Sequence, residues 1–186
     1  MNAEAGLPVV ATTHGIVGLT TCACLIAFYA VGGPFGFIKD LGNAAFGVLS
    51  LALAWLLQPP AYRLLLLGVA AVGAALTVVG TVLVVADMTG FYLAGLWSSF
   101  GFALIGLWLL AVSPHGPTGL RRSGVVTGAV MLLGLVGVPG ILIGLDDMDN
   151  APAWTFVAGL SWAGTYLLFP VWSLRLAGEN RAERGG

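Results

Sequence analysis

Charged residues are scarce in this chain. They make up 8% of the 186 residues, whereas hydrophobic residues reach 59% and the mean hydropathy is +0.99. Because a soluble domain carries about a quarter charged residues, this composition excludes an ordinary soluble globular protein. Seven basic residues against eight acidic ones give a net charge of −1, which offers no basic field to nucleic acid. The composition therefore predicts an integral membrane protein without a nucleic-acid partner.

Residues suited to metal or redox chemistry are equally few. Two cysteines, Cys22 and Cys24, stand two positions apart in an apolar run, where a helix points them to different sides. The chain has no Cys-x-x-Cys, His-Glu-x-x-His, Gly-x-Ser-x-Gly or phosphate-binding Gly-x-x-x-x-Gly-Lys motif. We therefore expect no metal centre and no catalytic residues, and we expect that the protein is not an enzyme.

Long apolar runs fill most of the chain. They cover residues 9–31, 37–57, 64–86, 91–112, 125–145 and 154–176. Each run is close to the ~20 residues that cross a ~30 Å hydrocarbon core as an α-helix. The connections between them are short and rich in glycine and proline, so that neighbouring helices run antiparallel. The sequence predicts an all-α polytopic integral membrane protein, a single domain over 1–186 with six transmembrane helices in an up-and-down bundle.

The distribution of charge predicts the orientation. Both termini share their side of the membrane with six basic residues, Arg63, Arg121, Arg122, Arg175, Arg181 and Arg184. On the opposite side Lys39 is the only basic residue, and it lies among Asp40, Asp87, Asp146, Asp147 and Asp149. The positive-inside rule therefore places both termini in the cytoplasm.

Three glycine–tryptophan pairs share one spacing. Gly42 and Trp55, Gly95 and Trp108, and Gly159 and Trp172 are each thirteen residues apart, and Ala-Gly-Leu strings surround Gly95 and Gly159. This register predicts three tandem helix hairpins, with chance alignment of the frequent glycine and leucine as the alternative. Because tryptophan prefers the headgroup level, we also interpret the tryptophans as interfacial anchors.

Small residues concentrate in the first, third and fifth runs, including Gly73 in the third and Gly140 in the fifth. Small side chains let helix backbones approach closely in a bilayer. We therefore expect the odd-numbered helices to form the packed interior. The even-numbered helices, which carry all six tryptophans, would then face lipid or a partner.

The best polar cluster within the apolar runs lies on the sixth. Ser161, Thr165 and Tyr166 precede Pro170, which frees the carbonyl of Tyr166 from the helical hydrogen-bond pattern. Pro139 interrupts the fifth run in the same way. Interrupted helices can line a solute site, although a single proline is often a tolerated kink.

Three further sets of residues are candidates for binding. Lys39 and Asp40, with Asp87, predict either an ion-paired vestibule or helix-end charges in the headgroup layer. His14 is a candidate axial ligand for a haem or chlorin, the alternative being a histidine hydrogen-bonded to a nearby carbonyl. The segment 146–150 has the oxygen ligands of a hard cation but lacks the glycine and distant glutamate of an EF-hand, which favours a solvated acidic turn.

These features leave three hypotheses for function. The favoured one is a non-enzymatic membrane subunit or scaffold that docks other membrane proteins, a second copy of itself or pigments. A small transporter or channel for a neutral or apolar solute is the first alternative, and a membrane-embedded enzyme acting on a lipid or isoprenoid is the second. The lipid bilayer is the one partner common to all three, and no pattern identifies a cofactor.

Overall fold

The structure is a computed structural model that describes residues 3–57 and 62–185. In this part of the chain all regular structure is helical, and six helical spans are long and apolar enough to cross a membrane. The first four are single helices, α1 (Ala3–Val31), α2 (Phe35–Leu56), α3 (Arg63–Val85) and α4 (Phe91–Val112). The fifth span contains α5 (Thr118–Leu132) and α6 (Val138–Leu142), and the sixth contains α7 (Trp154–Ala163) and α8 (Phe169–Gly185). The predicted all-α bundle is confirmed, with six helical spans long and apolar enough to cross a membrane.

The last two spans are interrupted near their prolines. A 3₁₀ turn over Leu133–Gly137 precedes Pro139 in the fifth span, and a π-helical turn over Gly164–Leu168 precedes Pro170 in the sixth. Proline lacks the backbone N–H that would continue the α-helical pattern, so the preceding turn tightens or widens. The fifth span also begins at Thr118 rather than at residue 125, because its polar first turn extends the helix beyond the apolar run.

Packing of neighbouring helices closes the bundle. Each span packs against the next along the chain, and α8 packs against α1. We call the end that carries Asp87 and the loop 146–150 the acidic end. The opposite end, which carries Arg63, Arg121, Arg122 and Arg175, is the basic end.

Backbone contacts between glycines hold α4 between α3 and α5. A Cβ atom added to Gly73 would lie 2.7 Å from the carbonyl oxygen of Gly101, and one added to Gly101 would lie 2.5 Å from that of Gly73. Gly106 and Gly128 form a similar contact between α4 and α5, with distances of 3.0 and 2.6 Å. Small residues thus permit close approach, as expected in a bilayer.

The expected division between odd and even helices is wrong. Buried residues make up 44%, 61% and 50% of the apolar windows of the even-numbered spans, but only 28%, 33% and 33% of the odd-numbered ones. Gly73 and Gly80 of α3 and Gly128 of α5 face α4 on narrow stripes, while much of the remaining surface of both helices points outward. Small residues therefore identify a contact stripe, and the central helix is α4.

The tryptophans also differ from the expected pattern. Trp108 and Trp172 are buried in the core, whereas Trp55 is 60% exposed. Anchoring at a membrane surface therefore does not describe Trp108 or Trp172, because both indoles pack inside the bundle with Phe102, Phe169 and their neighbours. The three tryptophans of the proposed hairpin repeat thus occupy unequal surroundings.

The loop at the acidic end stabilises the start of α4. The carboxylate of Asp146 accepts hydrogen bonds from the backbone N–H groups of Gly90 and Leu93, the latter over 3.1 Å. These are donors that a helix N-terminus leaves without intrahelical partners. Asp147 accepts a hydrogen bond of 2.6 Å from the Asn150 side chain and another from the Asp149 backbone, which lowers the pKa of the exposed Asp147 carboxyl below its ordinary value. Segment 146–150 is therefore organised by its own hydrogen bonds and by those to α4.

Candidate functional site

Buried polar side chains follow one face of α2. Lys39, Asp40, Asn43 and Ser50 are all at most 6% exposed, and successive members are one, three and seven residues apart. From Lys39 to Ser50 this row extends ~16 Å along the helix axis. Polar residues placed so deeply need partners from neighbouring helices, because an unpaired polar group costs free energy inside a bundle.

The row begins with an ion pair near the acidic end. Lys39 Nζ lies 2.5 Å from Asp40 Oδ1 and 4.1 Å from the centre of the Phe91 ring. Thr81 donates a hydrogen bond of 2.7 Å to the backbone carbonyl of Asp40. The pair is buried inside the protein in the first two turns of α2, so neither charge is exposed at the surface of the bundle. Asp87 is exposed, and within the described residues it forms no ion pair with Lys39.

Tyr166 joins the sixth span to the middle of this row. Its hydroxyl donates a hydrogen bond of 2.8 Å to Asn43 Oδ1, and both side chains are almost completely buried. The π-helical turn contains Tyr166, so the widened helix presents the phenol to α2. The structure therefore places one member of the predicted cluster in the bundle interior and gives it a partner that sequence analysis missed.

A histidine–serine cluster continues the row toward the basic end. His14 is fully buried, with Nε2 3.0 Å from Ser50 Oγ and Nδ1 2.7 Å from Ser173 Oγ. The rings of Phe46 and Phe169 cover it at centroid distances of 4.2 and 4.4 Å. Both serines also lie within hydrogen-bond distance of the carbonyl four residues earlier in their own helix.

The hydrogen-bonding groups of His14, Ser50 and Ser173 can all be paired within this cluster. A neutral imidazole has one N–H donor and one acceptor nitrogen, and each serine has one proton to donate. One serine therefore accepts from His14 and donates to its own helix carbonyl, while the other donates to His14. Both ring nitrogens are then used, so binding of a haem or chlorin metal by His14 stays a prediction that requires this cluster to open.

The other two hydroxyls of the predicted cluster are buried without partners. Ser161 and Thr165 are each 1% exposed, and neither hydroxyl has a hydrogen-bond partner within the described part of the chain. Serine and threonine in a helix commonly donate to the carbonyl four residues back. These two hydroxyls are available for a polar atom that reaches this part of the bundle.

A mostly apolar cleft opens between α4 and α7, and neither Ser161 nor Thr165 lines it. Its volume is about 280 Å³, and none of its lining residues is charged. Phe91, Phe156 and Trp162 contribute aromatic walls, and Met148 and Ala151 line its acidic end. Trp162 Nε1 donates a hydrogen bond of 3.1 Å to Ser99 Oγ, and both residues line the cleft.

Two glycines create much of this space. Gly95 on α4 and Gly159 on α7 both line the cleft, and a Cβ atom added to either would meet no atom within 4 Å. In this respect they differ from the contact glycines such as Gly101. We call this space the Gly95–Gly159 cleft.

One sequence signal pointed to this cleft without identifying it. The two matching Ala-Gly-Leu strings surround Gly95 and Gly159, so their shared register marked positions that lie together in the fold. Asn43 and Ser50 could have been found from their spacing with Lys39 on α2. Nothing in the sequence indicated that Ser173 contacts His14, because the two are separated by 159 positions.

Comparison of the chain with protein-family models, with curated proteins and with solved structures gives no match in any of the three. The six apolar spans fit a multi-pass integral membrane protein. Any narrower function must be argued from the cleft and from the buried polar row.

Proposed function

We propose that the protein is a non-enzymatic membrane protein that binds a small, neutral and largely apolar molecule in the Gly95–Gly159 cleft. The observation that carries this proposal is the open space over both glycines, between α4 and α7. Binding sites for small molecules are concave and mostly apolar, with a few polar groups that fix orientation. Here the polar groups are Ser99, Thr155 and the Trp162 indole, and no charge is available to an ionic ligand.

A catalytic role is disfavoured by burial. His14 lies beside two serines, which is the pairing that activates a nucleophile, but all three side chains are completely buried. Aromatic rings cover the imidazole, and no carboxylate contacts it within the described residues. A substrate has no approach to this pair in the folded bundle.

A direct test uses bromodecanol, a neutral alcohol with a terminal bromine that quenches indole emission on contact. The signal is the difference in fluorescence between the wild-type protein and Trp162→Phe in detergent micelles. We expect saturable quenching that unbrominated decanol reverses by competition. Gly159→Leu should weaken binding about tenfold or more, equivalent to ~1.4 kcal/mol, because the new side chain would occupy the cleft and its Cβ meets no atom within 4 Å.

The matched control is Gly68→Leu. Gly68 also has no atom within 4 Å of an added Cβ, but it lies on α3 outside the cleft. It should bind bromodecanol like the wild type. Quenching that is not saturable, or that is equal in both leucine variants, would rule out the cleft as the binding site.

A second candidate function, transport of a neutral solute, is favoured by the buried polar row. Asn43 and Tyr166 lie near the middle of the spans, with unpartnered Ser161 and Thr165 on the same span as Tyr166.

If solute passes along this buried polar row, Tyr166→Phe and Thr165→Val should reduce glycerol flux into proteoliposomes, measured by stopped-flow light scattering. Tyr62→Phe, which removes an exposed hydroxyl, is the control. Equal flux in all variants, or flux no faster than in protein-free vesicles, would contradict transport through this row.

A further inference from the structure

The Gly95–Gly159 cleft opens directly to the outer surface of the bundle. Phe156 and Leu160 line it from α7, and they are 69% and 59% exposed on a span that is apolar enough to cross a membrane. In a bilayer, side chains in this position meet hydrocarbon. A molecule dissolved in the membrane therefore reaches the cleft without first entering water.

Ser99 carries the deepest hydroxyl group of the cleft. It stands eight residues after the first residue of α4, which is ~12 Å along the helix from the acidic end. The other hydroxyl groups among the lining residues belong to Tyr92 and Thr155, and both lie in the first turn of their helices. A lipid headgroup stays at the membrane surface, so whatever part of a ligand meets Ser99 lies within the hydrocarbon layer.

The Ser99 hydroxyl carries a proton that no group of the described residues accepts. Its oxygen accepts the 3.1 Å hydrogen bond from Trp162 Nε1, and the residue is 5% exposed. Other buried hydroxyls, such as those of Thr21 and Ser113, donate to the carbonyl four residues earlier in their helix. Accepting the indole N–H polarises the Ser99 hydroxyl and makes it a stronger donor. The deep end of the cleft thus presents one hydrogen-bond donor without a partner.

We propose that the ligand of the cleft is a neutral, membrane-dissolved carbonyl compound whose oxygen accepts a hydrogen bond from Ser99. Its apolar body lies along Gly95 and Gly159. This inference rests on the proposed binding function, and it specifies the class of ligand and the residue that selects it.

A carbonyl group suits this position better than other oxygen-containing groups. It accepts a hydrogen bond and brings no proton of its own. A hydroxyl group brings a proton, and the hydroxyl oxygens of Tyr92 and Thr155 are ~10 Å from Ser99 along the helices. A carboxylate also accepts, but no basic residue lines the cleft to pair with its charge.

Competition against bromodecanol tests the class of ligand. Quenching of the Trp162 signal is measured in dodecyl maltoside micelles, with 2-decanone, decanol and decane as competitors at known mole fractions in the micelle. We expect 2-decanone to displace the probe at an about fivefold lower mole fraction than decane, because it gains one hydrogen bond, with decanol between the two. A ketone that competes no better than decane or decanol, while bromodecanol binding saturates, would overturn the carbonyl inference and leave the cleft proposal standing. Absence of saturable quenching by bromodecanol would overturn both.

The infrared spectrum of the bound ketone tests the role of Ser99. A ketone carbonyl band moves to lower frequency when the oxygen accepts a hydrogen bond, and it lies above the amide bands of the protein. The spectrum of Gly159→Leu with the same amount of 2-decanone is subtracted, because in this variant the ketone remains in the micelle. We expect the wild-type protein to show a shifted band that saturates with the ketone, and its absence would overturn the inference.

Two serine variants are compared in the Trp162→Phe background, because loss of Ser99 alone would free the indole N–H as a second donor. Ser99→Ala in this background should lose the shifted band. Ser98→Ala is the matched control and should keep it, because Ser98 is equally buried but faces α3, where a Cβ atom added to Gly80 would contact its hydroxyl. A shifted band that persists in the Ser99 variant, or that disappears in both variants, would overturn the assignment to Ser99.

Discussion

Replacement of Gly101 by alanine is expected to destabilise the bundle. Gly101 on α4 and Gly73 on α3 face each other so closely that either added Cβ would lie within 2.7 Å of the opposite carbonyl oxygen. Backbone atoms cannot rotate away as a flexible side chain can. The two helices would have to separate by about 0.9 Å to restore an ordinary contact of 3.4 Å.

The magnitude follows from two opposing terms. Overpacking of this kind costs ~1–3 kcal/mol, and a gap of 0.5–1 Å forfeits roughly a quarter to a half of the dispersion energy of the separated atoms. Alanine, however, favours the helix by about 1 kcal/mol over glycine. Gly95→Ala on the same helix gains the helix propensity of alanine without the overpacking cost, since nothing lies within 4 Å of its Cβ. The difference between the two variants therefore isolates the packing term.

Equilibrium unfolding in mixed micelles, with rising sodium dodecyl sulfate and circular dichroism as the signal, measures this difference. We expect Gly101→Ala to be less stable than Gly95→Ala by ~1–3 kcal/mol. Gly73→Ala should likewise be less stable than Gly68→Ala, which is the matched control on α3. Equal stability within either pair would refute the argument that glycine contacts hold α3 against α4.

Two further predictions concern the acidic end, and a third concerns the orientation in the membrane. Asp146→Ala should lower the free energy of unfolding by about 1 kcal/mol through loss of two hydrogen bonds at the start of α4, whereas Asp149→Ala should not. The pKa of Asp147 is lowered in the folded protein, so its stabilisation of the turn is present above the unfolded pKa of about 3.9 and is lost as the pH falls through the lower folded value. An NMR titration of the turn should therefore have its midpoint below that pH, and a midpoint at or above it would contradict the hydrogen bonding. With Cys22 and Cys24 replaced, a cysteine at Asn150 should react with an impermeant thiol reagent on whole cells and one at Thr118 should not; the reverse pattern would contradict cytoplasmic termini.

The helices were predictable from sequence because length and hydropathy are summed over some twenty residues. Interruptions in the fifth and sixth spans were also predictable, since Pro139 and Pro170 act on their own helix. The direction in which each helix faces was harder to infer. Most residues of each span are apolar enough for lipid, so hydrophobic periodicity does not separate the interior of the bundle from its surface. Glycine frequency alone led to the wrong assignment of the central helix.

For the candidate sites, too, features set by neighbours in the chain were predictable and contacts between distant residues were not. Tyr166 was identified from its local neighbours Thr165 and Pro170, but its partner Asn43 is 123 positions away in the chain. The burial of Lys39 and Asp40 depends on Thr81 and Phe91, which approach from other spans. Contacts of this kind depend on how the helices pack against one another. A single sequence shows which residues are neighbours in the chain, but it does not show which residues of different helices meet.

Glycine illustrates how one residue type produces opposite results. At Gly101 the backbone of the neighbouring helix α3 occupies the space that a side chain would fill, so the two helices pack closely. At Gly95 and Gly159 no atom occupies the corresponding space, and a cleft remains there. Both uses occur on α4, within two turns of each other, so the helix that binds the bundle together also supplies a wall of the candidate binding site. A ligand in that cleft would bridge α4 and α7 where the protein itself leaves them apart, and its binding should therefore stabilise the bundle.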